Sequence, residues 1–152
     1  YLDADIKRVR EAMTIEKAAG GCHCGAVRYK AFGVADEMDA CHCGVCRKIS
    51  GGPLLARDVA RLEYQEGTPV GRYRSSDWAE RTFCQKCGSV LAWHMVGGGY
   101  TVVAAYSLDE GDAPLSKEIF VDAQPKGYAF AGTTTRMTGA EVEEWAKSLM
   151  GS

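Results

Sequence analysis

Short apolar runs separated by turn-forming residues dominate the chain. Between 26 and 32, Val27, Tyr29 and Ala31 alternate with Arg28 and Lys30, the period that lays one face of a strand on a core. A second strand is expected from Met38 into Cys41. Beyond Ser50-Gly51-Gly52-Pro53, further strands are expected at Leu54 to Arg57, Ala60 to Gln65 and Gly71 to Arg74, with the spacing of an antiparallel sheet. Arg81 to Phe83 leads into Cys84, and Ser89 to Val96 is largely apolar up to Gly97-Gly98-Gly99. Tyr100 to Tyr106 then returns, and the glycines supply the positive φ that a short reversal needs, so this is the clearest hairpin. Glu118 to Val121 offers one more strand, and Asp122 to Arg136 reads as loop.

Helical periodicity is confined to the ends. Thr138-Gly139-Ala140-Glu141 has capping-box spacing, and Val142, Trp145, Ala146 and Leu149 recur at i, i+3, i+4 and i+7, which predicts a helix over 139–150. Ile6, Val9 and Met13 stand at near-helical intervals among Lys7, Arg8, Arg10 and Glu11, so residues 4–18 read as a short amphipathic helix or an arm. The expected organisation is an N-terminal arm or helix over 1–19 and a single domain over 20–152, and 152 residues suffice for that domain's own core. A formal net charge of −2 supplies no basic field for nucleic acid or an anionic membrane. No apolar run approaches a bilayer span and no export pattern stands out, so a cytoplasmic protein is expected.

Seven cysteines change the picture. An odd number cannot all pair within the chain, and Cys22-x-Cys24, Cys41-x-Cys43-x-x-Cys46 and Cys84-x-x-Cys87 are clusters that favour metal thiolates over disulfides. Cys24-Gly25 and Cys87-Gly88 each place a glycine where a metal-binding turn bends tightly. Cys22, Cys24, Cys84 and Cys87, an outer set drawn from two such turns, make a closed tetrahedral zinc site with a structural role. Cys41, Cys43 and Cys46, a set within one loop, leave a fourth zinc position over, the pattern of catalytic zinc. A thiol substrate bound there would lose its proton, and Arg47 and Lys48 would help to hold an anionic substrate. An iron–sulfur cluster, clusters without metal, and a loop set completed by histidine or a partner stay open as alternatives. His23 and His42 lie between ligands and read as flanking groups, and His94 as a strand histidine satisfied by hydrogen bonds. Trp78, Trp93 and Tyr73 read as core aromatics before pocket-lining ones, and Arg72 and Arg74 as a solvated face.

Three stretches together carry a family resemblance: Gly21-Cys22-His23-Cys24-Gly25-Ala26-Val27-Arg28-Tyr29, Cys41-His42-Cys43-Gly44-Val45-Cys46-Arg47-Lys48, and Arg81-Thr82-Phe83-Cys84-Gln85-Lys86-Cys87-Gly88-Ser89. Over about residues 20–125 the chain resembles the glutathione-dependent formaldehyde-activating family, which includes centromere protein V. The resemblance implies a mainly β fold, a β-tent of two layers of short antiparallel strands pinned by zinc. It also implies a structural zinc on Cys22, Cys24, Cys84 and Cys87 and a catalytic zinc on Cys41, Cys43 and Cys46. The implied activity is that of a carbon–sulfur lyase joining glutathione and formaldehyde into S-(hydroxymethyl)glutathione. A zinc-stabilised binding module without catalysis is the alternative, and the acidic balance and lack of a long basic tail argue against chromatin as its partner.

Overall fold

The computed structural model describes residues 14–150, and for 149 and 150 the backbone alone. The chain runs β1 (Thr14–Gly21), β2 (Arg28–Ala35), β3 (Met38–Cys41), helix α1 (Gly44–Ser50), β4 (Leu54–Val59) and β5 (Arg61–Tyr64). It continues through β6 (Val70–Arg74), β7 (Ala79–Cys84), β8 (Val90–Met95), β9 (Thr101–Ala104), β10 (Leu115–Ile119), β11 (Thr135–Met137) and helix α2 (Gly139–Met150). The fold is mainly β, with strands in two hydrogen-bonded sheets and a helix at the C-terminus. No helix among the described residues is long and apolar enough to cross a membrane.

The chain forms two compact units, one of residues up to Asp36 and Arg57–Ala113, the other of Glu37–Ala56 and Pro114 onward. In the first, β1, β2 and β5 form an antiparallel sheet in that order, and β6 to β9 form an antiparallel meander. Val27, Tyr29 and Ala31, the alternating residues, are buried with Val34, Leu91, Val103 and Leu108 in one apolar cluster. Fully burying side chains of this kind gains about 1.5–3 kcal/mol each, so the alternation itself fixes which face of β2 points inward. Arg57 is buried among these strands, with its guanidinium donating to the carbonyls of Ala35, Glu110 and Gly111, so its desolvated charge is met by three acceptors. The glycine hairpin forms as expected, with Met95 N–H donating to Tyr100 O at 2.9 Å.

In the second unit β3 pairs antiparallel with the start of β4, whereas β10 runs parallel to β3 and β11 parallel to β10. The α2 N-terminus has the capping box: Glu141 N–H donates to Thr138 Oγ1 at 3.3 Å and Thr138 N–H to Glu141 Oε1 at 3.0 Å. Asp122 Oδ1 accepts from Gly139 N–H at 2.8 Å, satisfying another free donor, and Val142 and Ala146 are the buried side of the helix.

Some boundaries differ from expectation. Thr14 to Ala18, the last part of the expected amphipathic helix, are strand; Ile15 pairs with Val34 and Ala18 with Ala31, and pairing to a β-rich neighbour overrides local periodicity. Residues 4–13 of that segment lie outside the described residues. The strand expected at Glu118 to Val121 lies at Leu115–Ile119, because Phe120 takes a left-handed conformation (φ 55°) and turns the chain into a short 3-10 helix. Within the segment read as loop, Thr135 and Arg136 open β11, held by the neighbouring strand rather than by any alternation of their own.

Candidate metal centres

The outer set converges in the first unit, where Cys22 and Cys24 follow β1 and Cys84 and Cys87 bracket the turn after β7. Their four sulfurs lie within 4.8 Å of one another. Cys22 and Cys24 are separated by 3.5 Å and Cys24 and Cys84 by 3.8 Å, sulfur to sulfur. A tetrahedron with zinc–sulfur bonds of about 2.3 Å has edges of about 3.8 Å, so the donors fit a divalent metal of that size. Backbone amides already point at the sulfurs: Val27 N–H donates to Cys22 at 3.2 Å, and Lys86 and Cys87 N–H both to Cys84 at 3.4 Å. Such donors stabilise thiolates. The turns need their glycines, since Gly25 and Gly88 have φ of 81° and 79°, in the left-handed region. The Ser89 hydroxyl, 3.1 Å from Cys87, holds that thiol down at about 5.

The loop set converges in the second unit, at the end of β3 and the start of α1. Cys41 is the last residue of β3, and Cys43 is the N-cap of α1, its sulfur accepting from Cys46 N–H at 3.3 Å. Cys46 sits one turn into the helix, and strand end, cap and first turn thereby aim three thiols at one point. Hydrogen bonds from the Cys41 and Cys46 thiols hold Cys43 down to about 2, and the same coupling pushes Cys41 far up.

No histidine completes either set among the described residues. His42 is fully buried, its Nε2 2.7 Å from Glu118 Oε1 and its Nδ1 2.7 Å from the Tyr128 hydroxyl, so both ring nitrogens are engaged. Burial raises the Glu118 carboxyl, but hydrogen bonds from Thr134 and His42 and the Arg136 guanidinium outweigh it and hold it below the usual carboxylate range. Tyr128 stacks on the His42 ring with centroids 5.4 Å apart, and Phe130 lies 5.9 Å from it. Glu118, Tyr128, Thr134 and Arg136 are the surroundings that the sequence left unmarked, since they lie in or near the irregular 120–136 segment with no motif or periodicity.

The other expected residues fall as follows. Arg47 donates from Nε to His42 O at 3.0 Å, which fixes its guanidinium beside the loop set; Lys48 is exposed. His23 is exposed and lies outside the metal-ligand sets. His94 is a hydrogen-bonded strand histidine, with Tyr64 OH at 3.2 Å and Thr101 Oγ1 at 3.3 Å. Tyr73 and Trp78, expected in a core, are 57% and 42% exposed; Trp78 sits in the turn before β7 and packs edge-on to Trp93. Arg72 pairs with Glu80 and Arg74 with the carbonyls of Ser76 and Asp77, a solvated face as expected.

The profile of the family described as glutathione-dependent formaldehyde-activating enzyme matches residues 17–123, a span that holds both cysteine sets. The chain belongs to this family. An uncharacterised lyase of Schizosaccharomyces pombe is 31% identical over 134 residues, covering 86% of this chain and 96% of the yeast protein. A Rhodobacter sphaeroides protein of known crystal structure shares the fold, with a TM-score of 0.50 and 22% identity over 64% of this chain and 99% of that one. As a glutathione-dependent formaldehyde-activating family member, the chain presents two cysteine sets that can bind metal, one with four thiols and one with three.

Proposed function

We propose that the protein is a zinc-dependent carbon–sulfur lyase acting on a small thiol adduct, with glutathione and formaldehyde as the leading pair. The observation that carries the reading is the commitment of His42: with both its nitrogens bonded elsewhere, the loop set offers three ligands where zinc takes four. The outer set, already complete with four sulfurs, has the structural role. Zinc bound at the loop set would supply a lowered thiol pKa, so that a substrate thiol is a thiolate at neutral pH.

The chain's own residues do the rest. Arg47, anchored through Nε to the His42 carbonyl, keeps its two terminal nitrogens for a substrate carboxylate, a pairing that suits a planar guanidinium. Lys48, exposed next to it, adds positive charge to the approach. In the addition, the substrate sulfur attacks the carbonyl carbon as the carbon–oxygen π pair moves onto oxygen, which takes up a proton; the lyase direction reverses these movements. The lyase name of the yeast relative and the description of the family support this chemistry. All seven cysteines are free thiols, which suits the reducing cytoplasm.

Exchange NMR of glutathione and formaldehyde with their hydroxymethyl adduct tests the reading. The metal-loaded protein accelerates exchange, and X-ray absorption shows an added sulfur neighbour at one metal site only. No acceleration, or the same coordination at both sites with and without glutathione, refutes it.

A further inference from the structure

The two turns that carry the outer set come from distant parts of the chain, and one side chain touches both. Ser89 Oγ accepts from the N–H of His23, in the middle of Cys22-His23-Cys24, at 3.1 Å, and lies 3.1 Å from Cys87 Sγ in the second turn. His23 and Ser89 are 66 positions apart. The Ser89 backbone is fixed in its own turn: its carbonyl accepts from Cys84 N–H at 3.0 Å, and Gly88 N–H donates to Cys84 O at 2.9 Å. Ser89 is half-buried, whereas Cys24 and Cys87 beside it are exposed.

Donor and acceptor roles follow from the groups themselves. An amide N–H can only donate, so Ser89 Oγ is the acceptor toward His23. A sulfur that ligates a metal has no proton to give, so in the loaded outer set the hydroxyl proton goes to Cys87. One hydroxyl then ties the backbone of the first turn to a ligand of the second. Backbone amides supply further donors at these sulfurs: Val27 N–H at Cys22, Lys86 and Cys87 N–H at Cys84, and the amides of Cys24 and Ser89 at Cys87. A side-chain change at position 89 leaves those amides in place and removes the hydroxyl alone.

We infer that Ser89 is a positioning residue of the outer set: its hydroxyl clasps the two ligand turns and holds Cys87 in place, and so governs how firmly a metal stays there without touching it. The inference rests on the structural role proposed for the outer set and extends it to the residue that guards the metal against a competing ligand. The need is concrete, because a small thiol substrate is itself a zinc ligand, and exposed Cys24 and Cys87 form the side from which it reaches the outer set.

Chelator competition on the metal-loaded protein, with and without excess glutathione, tests the assignment. Ser89→Ala and Ser89→Val lower metal affinity at the outer set by about ten- to a hundredfold, the range for outer-shell partners of metal ligands, and glutathione strips that metal sooner. Ser89→Thr, which matches the shape of Ser89→Val and keeps the hydroxyl, stays close to the wild type. Gln85→Ala, which trims a neutral, exposed side chain in the same turn, does so too. With cadmium-113 in both sets, the outer resonance is displaced in Ser89→Val and not in Ser89→Thr, while the loop-set resonance stays put, a pattern that lost packing alone does not produce. Wild-type affinity in Ser89→Ala, equal losses in Ser89→Thr and Ser89→Val, or a loss in Gln85→Ala as large as in Ser89→Ala overturns the assignment. The comparison of Ser89→Thr with Ser89→Val decides even where Ser89→Ala does not fold. A wild type whose outer set binds no metal removes the inference together with that set's structural role, and leaves the lyase reading at the loop set standing.

Discussion

Glu118 Oε1 stands 2.7 Å from His42 Nε2, and both side chains are almost sealed from solvent, at 4% and 0% exposure. The residue between two candidate metal ligands is therefore fixed from the neighbouring parallel strand, where Glu118 pairs with Ala40 and His42 N–H bonds to Ile119 O at 3.1 Å. Glu118→Ala leaves the buried Nε2 of His42 without its acceptor. Stranding a buried donor of this kind costs about 1–3 kcal/mol, whereas Glu118→Gln, which keeps an acceptor for Nε2, costs less. Urea unfolding of both variants checks the order.

The two cysteine sets should fail differently. Cys84→Ser removes a ligand from the set that joins the β1–β2 loop to the end of β7, so one metal is lost and the first unit unfolds with it. Cys43→Ser loses the other metal and leaves circular dichroism and the main unfolding transition close to wild type, because a single loop holds that set. Elemental analysis paired with melting curves separates the cases, and equal unfolding of both variants refutes the division of roles.

Gly25 and Gly88 are worth changing singly to alanine. A Cβ at either meets nothing within 4 Å, so any effect comes from the left-handed φ of 81° or 79° and not from a clash. Each alanine costs about 1–2 kcal/mol. That strain tells against the folded, metal-holding turn, so chelator competition reads a metal affinity lower by roughly tenfold at the outer set, with the loop set unaffected.

His94 predicts a pH effect of defined sign. Burial first, and Arg72 second, hold its pKa below the ordinary 6.5. Above that value the ring is neutral in both folded and unfolded chains and its contribution is intact. As pH falls below 6.5 the unfolded chain takes up the proton first, so stability declines until the folded pKa is passed. The wild type therefore loses more stability than His94→Asn on going from about pH 7.5 to 5.5, a difference in which effects of acid on the metal thiolates, common to both proteins, cancel. Denaturant titrations at the two pH values measure it.

Much of the scaffold was legible in local chemistry. The alternation at Val27, Tyr29 and Ala31 marked a buried strand face, the triple glycine marked the hairpin, and Thr138 with Glu141 marked the start of α2, each through interactions between near neighbours. Both cysteine sets were legible for a related reason: thiols cluster in sequence because a short turn is the cheapest way to bring them together, and glycine marks where that turn bends.

The sequence by itself thus determined the class of fold, the membership of both cysteine sets and the capped helix, because those depend on spacings of a few residues. Only the tertiary structure decided that residues 14 to 18 join a strand, that β10 runs parallel to β3, and that His42 turns away from the metal set to Glu118 and Tyr128. Glu118 and Tyr128 are separated from His42 by 76 and 86 positions, and each is an ordinary residue for its place in the chain. Their importance arises from the burial of one ring with two nitrogens to satisfy, a demand that exists only once the chain is folded.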